Sequence, residues 1–155
     1  MLYDVQVLVA GSCTTVTRDE LTLAAKFFGK ELLPEDTYSA TRVYIDLFPR
    51  SLNKDYLGGI TLPKMGVPVE LYHIKIKSSQ SRKGQLTALA HEMTHVEQIA
   101  SGRFGAVYRK NIAVGMKWCK VRVDKEAIDL GYAPWEIEAY TKEGPLYRAF
   151  LKSIK

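Results

Sequence analysis

The chain has 155 residues, of which 46% are hydrophobic and 25% charged, and its formal net charge is +5. This length and composition predict one soluble globular domain, residues 1–155, with a core large enough to fold without disulfides. No apolar run approaches the length of about 20 residues that spans a bilayer, and Asp4 and Gln6 interrupt the apolar N-terminal stretch, which argues against a secretory signal. We therefore expect a cytoplasmic protein without a membrane partner, whose oligomeric state the sequence leaves open.

The cysteines and the basic residues give weak indications of function. Cys13 and Cys119 lie far apart and form no C-x-x-C pair, so they predict two buried free thiols rather than a disulfide framework or a four-cysteine zinc site. The basic residues are spread out, with two small groups: Lys75, Lys77, Arg82 and Lys83, and Lys117, Lys120, Arg122 and Lys125. A solvated basic surface is the favoured interpretation, and a nucleic-acid partner is only weakly supported.

The N-terminal part predicts a strand and then an amphipathic helix. A strand over about 3–10 is indicated by valines at every second position, namely Val5, Val7 and Val9. Asp19 is then expected to cap a helix that runs to about Leu32, because apolar side chains recur there at helical spacing: Leu21, Ala24, Ala25 and Phe28. Pro34 should end this helix.

Three β-rich segments follow. Residues 41–48 alternate apolar and polar side chains, and a short segment over 60–62 follows a glycine pair. Residues 69–77 alternate again, with Tyr72, Ile74 and Ile76 on one face and His73 on the other. This last strand leads directly into the next predicted helix.

That helix is predicted over about 83–100 and ends at Gly102. Its apolar side chains recur at three-four spacing, as expected for a helix that packs on a core: Leu86, Leu89, Met93, Val96 and Ala100. At 100° per residue, His91 and His95 fall on the opposite side of the helix. We therefore expect this side to face a cleft.

The C-terminal part predicts a β-hairpin and a short helix. Residues 104–109 and 116–123 are expected to form the hairpin or an extended flap. Pro134 is well placed at the first position of a helix that runs to about Lys142. Gly144 and Pro145 should break or kink it before a last amphipathic turn.

The sequence His91-Glu92-Met93-Thr94-His95 contains two histidines four residues apart, on one face of a helix. This spacing allows both imidazoles to bind one metal ion, while Glu92 beside them accepts a proton from a metal-bound water. The chain has only three histidines, and two of them lie in this motif.

A catalytic metal usually has three protein ligands and one open position. Cys119 and His73 are possible third donors, but Glu136 and Glu138 are better candidates. These two glutamates lie about 200° apart around a helix, so both cannot face one ion. Acidic residues are also favoured at a helix N-terminus by the helix dipole, which is the alternative explanation for both.

At this point the chain resembles the gluzincins, zincin metallopeptidases whose third ligand is a glutamate on a second helix. The resemblance is carried by H-E-x-x-H within residues 84–100 and by residues 132–142. It is closest to the compact single-domain zincins of bacteria and phages, in which a Pro-aromatic-Glu-x-x-Ala pattern begins the second helix. Here that pattern is Pro134-Trp135-Glu136 followed by Ala139, so the resemblance implies that the metal ligands are His91, His95 and Glu136.

Tyr140 lies one helical turn after Glu136, on the same face, and is a candidate donor to a developing oxyanion. Tyr108 and Tyr132 are weaker candidates, because aromatic residues more often serve in packing. His73 is expected to be a surface or cleft-rim residue rather than a catalytic one, and Cys13 an inert thiol rather than a ligand that caps the metal.

The resemblance implies an α+β, zincin-like fold. A twisted, mostly antiparallel sheet would pack on the active-site helix, and a second helix would supply the third ligand. Such families bind a peptide in extended form along an edge strand, for which 69–77 is the candidate here. The chain lacks the third histidine that follows the motif in metzincins, and it lacks the four-cysteine ribbon that DNA-associated SprT-like zincins often add.

These features predict a zinc-dependent metallopeptidase in which Glu92 is the general base. Its substrate would be a peptide or a protein of unknown sequence. Zinc is the default for a His₂-carboxylate site, although iron, cobalt and manganese fit the same donors. Two alternatives stay open: a non-catalytic zincin-fold module that binds metal or a partner, and a DNA-associated, SprT-like protease.

Overall fold

A computed structural model describes residues 6–11, 16–48, 58–60 and 71–155 of the chain. The strands are β1 (Gln6–Ala10), β2 (Arg42–Phe48), β3 (Gly58–Ile60), β4 (Leu71–Lys77), β5 (Phe104–Arg109), β6 (Ile112–Trp118) and β7 (Val121–Val123). The helices are α1 (Arg18–Leu32), α2 (Glu35–Ala40), α3 (Arg82–Ala100), α4 (Lys125–Asp129) and α5 (Pro134–Ser153). The fold is therefore mixed α+β, and none of the helices within the described ranges is both long and apolar enough to cross a membrane.

The larger sheet has four strands in the order β1-β2-β4-β3. β1 and β4 both run parallel to β2, and only β3 is antiparallel to its neighbour. The expectation of a mostly antiparallel sheet is therefore wrong for the sheet that packs on α3. The prediction that 69–77 forms an edge strand is also wrong, because β4 pairs on both sides and β3 forms the edge. Of the predicted strands 60–62 and 69–77, residues 61–62 and 69–70 lie outside the described part of the chain.

Helices α1 and α3 cover one face of this sheet. The alternation predicted for β2 and β4 is confirmed, since every second side chain is buried against the helices: Val43, Ile45, Leu47, Tyr72, Ile74 and Ile76. The apolar positions predicted for α1 are buried as well: Leu21, Ala24, Ala25 and Phe28. Because α3 also contacts α5, it is enclosed between the sheet and two helices.

Two short helices and one N-cap differ from the sequence-based expectation. α1 begins two residues earlier, because the hydroxyl of Thr17, and not the side chain of Asp19, accepts the hydrogen bond from the N–H of Glu20. Pro34 ends α1 as predicted, but it also caps α2. α2 and α4 have only 6 and 5 residues, too few for a periodic pattern to reveal them.

Helix α5 runs through Pro145 to Ser153, so of the two predicted outcomes at Gly144-Pro145, a break or a kink, the break is wrong. A proline inside a helix costs roughly 3 kcal/mol. This cost is offset by Phe150, which is fully buried and packs on the rings of Phe27 and Phe28 of α1. Burial of a large aromatic side chain contributes energy of a similar size.

The second sheet is a small antiparallel one, in the order β5-β6-β7. β5 confirms the strand predicted over 104–109, but 116–123 is not its single partner strand, because that segment contains the end of β6, a turn and β7. Both turns contain non-glycine residues at positive φ, Lys110 and Asn111 in the first and Cys119 and Lys120 in the second. Cys119 is exposed, so the expectation that it is buried is wrong. Cys13 lies outside the described residues.

Candidate metal centre

Helix α3 positions the three residues of the motif. Its N-cap is Ser81, whose hydroxyl accepts a hydrogen bond from the N–H of Gly84. Gly102 follows the helix at φ 79°, as predicted. His91, Glu92 and His95 each offer a donor atom, and these atoms lie within 4.8 Å of one another. His91 is 8% and His95 3% exposed, so the histidines lie at the bottom of a cleft rather than on the surface.

The carboxylate of Glu136 joins the two imidazoles. Its Oε1 lies 2.7 Å from Nε2 of His95, and its Oε2 lies 3.2 Å from Nε2 of His91. Ligands about 2.0–2.1 Å from one tetrahedral ion lie roughly 3.3 Å from each other. The two distances from Glu136 to the imidazoles are therefore close to those between ligands of one ion, and a set of two nitrogens and one carboxylate suits zinc and other divalent transition metals.

The charges of these side chains depend on one another. Burial would raise the pKa of Glu136, but hydrogen bonds from His91 and His95 outweigh it and lower this pKa to about 2. Burial would likewise lower the pKa of His91, yet the hydrogen bond with Glu136 and the nearby carboxylates raise it overall. Without a metal, Glu136 is therefore ionised, and its carboxylate favours the protonated form of His91. A metal ion that binds the neutral imidazole competes with that protonation.

The second nitrogen of each imidazole also has a partner. Nδ1 of His91 lies 2.8 Å from Oε2 of Glu143, and Nδ1 of His95 lies 2.7 Å from Oε1 of Gln98. Both partners are acceptors, so each Nδ1 carries the proton and each Nε2 is left to bind the metal. The amide of Gln98 is itself oriented, because its Nε2 donates to the carbonyl of Trp135.

Glu138 faces away from the histidines, as the helical geometry requires. Its carboxylate accepts hydrogen bonds from both terminal nitrogens of Arg103, at 2.8 and 2.9 Å, and from the amide of Gln98. Arg103 pairs in addition with Glu97. The hydrogen bond with Arg103 is the main reason that the pKa of Glu138 is lowered to about 2. Of the two candidate ligands, only Glu136 lies beside the imidazoles. Glu138 instead links α5 to α3 through its hydrogen bonds with Gln98 and Arg103.

Glu92 is the acidic side chain that burial affects most. It is 5% exposed, and its Oε2 has no hydrogen-bond partner among the residues that the structure describes. Burial raises its pKa to about 7, against the opposing effect of the nearby histidines. A carboxyl group whose pKa lies near neutrality is well suited to accept and return a proton.

Tyr140 lies at the rim of the site. Its ring centroid is 4.6 Å from that of His91, one turn along α5 from Glu136, as predicted. The side chain is 64% exposed, and burial of its remainder together with Glu136 raises its pKa. The hydroxyl therefore stays protonated near neutral pH and is available as a donor.

These residues line a cleft of about 710 Å³. The edge strand β3 forms one wall, with Gly58, Gly59 and Ile60, and the N-terminal half of α3 forms the floor. Gly58 brings its backbone close to the site, since a Cβ there would lie 3.6 Å from Oε1 of Glu92 and 3.0 Å from the carbonyl of Lys75.

Of the other candidates that the structure describes, His73, Cys119, Tyr108 and Tyr132 are not among the residues that line this cleft. His73 packs against Tyr44, with Asp46 3.9 Å away, on the sheet face opposite the helices. Cys119 lies in the turn between β6 and β7. Neither is a third ligand in this arrangement.

Sequence reasoning missed four contributors to the site. Gln98 had a signal, because it is i+3 from His95 and falls on the same side of α3. Glu143 is seven residues after Glu136, two turns along the same face, but the predicted helix ended before it. Phe104 and Trp135, whose rings stack at 4.5 Å beside His95, carry no local signal, since their contact joins distant segments.

A scan against models of known protein families finds no match to this chain, and searches of curated proteins and of solved structures find none either. The interpretation of the site therefore rests on the residues and their geometry. The likeness to zincins stays a prediction.

Proposed function

We propose that the chain is a metal-dependent peptidase with a zincin-like active site, and that zinc is its metal. The observation that carries the proposal is the convergence of both Nε2 atoms on the carboxylate of Glu136, beside the buried carboxyl of Glu92. His91, His95 and Glu136 are the proposed ligands. A divalent ion held there would lower the pKa of a water molecule toward neutrality and polarise the scissile carbonyl.

Glu92 is the proposed general base. Its unpartnered Oε2 accepts a proton from the attacking water and then delivers it to the leaving amine. Tyr140 stands at the mouth of the site, where its hydroxyl can donate to the oxyanion. Glu143 and Gln98 keep the two imidazoles in the required tautomer and orientation.

The cleft suits an extended peptide. Its wall is β3, which within the described residues pairs with β4 on one side only, and the other side of an edge strand can pair with a bound strand. The glycines of β3 allow the peptide backbone to come close to Glu92. The proposed substrate therefore lies along β3, and not along 69–77.

The test measures metal content and peptide hydrolysis in the same samples. Wild-type protein refolded with zinc should contain one zinc per chain and cleave fluorescein-labelled casein, and a chelator should remove both properties. Glu92→Gln should retain the zinc and lose hydrolysis by at least about 10³-fold, because it removes the base but no ligand. Zinc without hydrolysis in the wild type would favour the non-catalytic module instead. Absence of zinc would reject both interpretations.

A further inference from the structure

The excess of basic over acidic residues in the chain comes from the three-stranded sheet. Residues 104–123, which comprise β5, β6, β7 and their turns, contain no acidic residue and five basic ones: Arg109, Lys110, Lys117, Lys120 and Arg122. The whole chain has 22 basic and 17 acidic residues. The 17 basic residues outside this segment are thus balanced by the 17 acidic ones, and the segment alone accounts for the charge of +5.

The strand register gathers part of this charge on one face. Lys117 lies opposite Gly105 of β5 and Arg122 of β7. A Cβ at Gly105 would lie 3.2 Å from the side chain of Lys117, and one at Gly115 would lie 2.9 Å from Nε of Arg122. Both cationic side chains therefore lie flat across glycines. The opposite face packs on the core through Phe104, Met116, Trp118 and Val123.

Among the described residues, these basic side chains have no acidic partner. All five are exposed, and none of them forms an ion pair within the described ranges. Several basic residues elsewhere do form such pairs, for example Arg82 with Glu20 and Lys125 with Asp129. Unpaired like charges on one small sheet repel one another, and a polyanion relieves that repulsion.

We propose that this basic sheet, residues 104–123, binds the phosphate backbone of duplex nucleic acid. The basic face offers no aromatic platform for unpaired bases, because the other residues of that face are glycines and aliphatic side chains, including Val107 and Ile112. Contacts are therefore made to phosphates, which a duplex presents in a regular array.

The arrangement of the apolar residues disfavours an anionic membrane as the partner. Val114 is 42% exposed, whereas the two most exposed apolar side chains of this sheet are Ile112, at 67%, and Val121, at 68%. They lie near opposite ends of β6, since Val121 pairs with Trp118. At about 3.4 Å per residue, they are roughly 20 Å apart. No single edge of the sheet can therefore insert both.

The test is a salt titration of binding to a fluorescein-labelled 20-base-pair DNA duplex, followed by fluorescence anisotropy from about 50 to 200 mM NaCl. With three to five phosphates contacted, the slope of log K against log salt should be about −3 to −4.5. In the double variant Lys117→Gln/Arg122→Gln, the slope should become shallower by about 2, and the affinity should fall at least about tenfold.

The matched control is Lys152→Gln/Lys155→Gln, which removes the same charge from exposed positions at the end of α5. It should bind nearly as wild type. Equal weakening in both double variants, no binding of the duplex, or binding of phosphatidylserine vesicles in its place would overturn the proposal. Circular dichroism and melting temperature should show that both variants fold. Glu92→Gln should bind DNA as wild type does, so this result is independent of peptidase activity.

Discussion

Glu143 contacts the nitrogen of His91 that a metal ion would leave free, with 2.8 Å between its Oε2 and the ring Nδ1. The acceptor holds the proton on Nδ1 and orients the ring so that Nε2 points toward Glu136. Both residues that accompany His91 in this way, Glu136 and Glu143, lie on α5. The orientation of the imidazole is therefore set by the packing of α5 on α3, before any metal binds.

Glu143→Ala should weaken zinc binding by about 10–100-fold, because the His91 ring loses its orienting partner. Glu143→Gln retains an acceptor oxygen and should lose less. The measurement is competition with a chromophoric chelator. Glu126→Ala, at an exposed position on α4, is the control and should bind zinc as wild type. Unchanged affinity in Glu143→Ala would show that this contact does not position the ligand.

Glu136→Ala and Glu138→Ala should have opposite effects. Glu136→Ala should lose stoichiometric zinc, since it removes the carboxylate between the two imidazoles. Glu138→Ala should keep its zinc but lower the free energy of unfolding by about 1–2 kcal/mol, because Arg103 and Gln98 lose a partner. Zinc analysis and urea unfolding test both. Equal zinc in wild type and Glu136→Ala would reject the ligand assignment.

The metal-free protein should lose stability as the pH rises, owing to Glu92. Burial raises the pKa of this carboxyl from 4.5 to about 7, so the folded state binds its proton more tightly than the unfolded state. The destabilisation that ionising this buried carboxyl causes is therefore absent below pH 4.5 and complete above about pH 7. In the presence of a chelator, Glu92→Gln should therefore raise the free energy of unfolding near pH 8 by roughly 2–3 kcal/mol.

Urea unfolding near pH 5 and near pH 8 measures this difference. Near pH 5 the gain from Glu92→Gln should be small, because the carboxyl is then largely protonated in the folded state. Glu31→Gln, at an exposed position on α1, serves as the control and should change little between the two conditions. A gain of the same size at both pH values would mean that ionisation of Glu92 is not its cause.

Phe150→Ala should destabilise the protein by about 3–5 kcal/mol, since its ring is fully buried against Phe27 and Phe28. Thermal or urea unfolding measures the loss. Ile154→Ala, four residues on and 43% exposed, should cost far less. If both variants had the same small effect, the part of α5 beyond Pro145 would not be packed as described.

Local patterns predicted the larger elements well. Periodicity predicted the apolar faces of α1 and α3 and the alternation of buried side chains in β2 and β4. Single residues predicted two helix ends, Gly102 after α3 and Pro134 at the start of α5. These features depend on neighbours within a few positions of the chain. The order of the strands in the sheet depends instead on contacts between distant segments. The sequence therefore predicted 69–77 as the edge strand, whereas β3 lies at that edge of the described sheet. The continuation of α5 through Pro145 was missed for the same reason.

The sequence by itself determined that His91 and His95 share one face of a helix with Glu92 beside them, because residues four apart always meet one turn up a helix. It also showed that Glu136 and Glu138 lie on different sides of a helix, and the resemblance to the gluzincin pattern implied that Glu136 is the ligand. Only the tertiary structure decided what surrounds them: Glu143 and Gln98 at the Nδ1 atoms, β3 as the cleft wall, and Arg103 as the partner of Glu138. Such contacts join segments far apart in the chain, and their energies come from packing that no local pattern encodes.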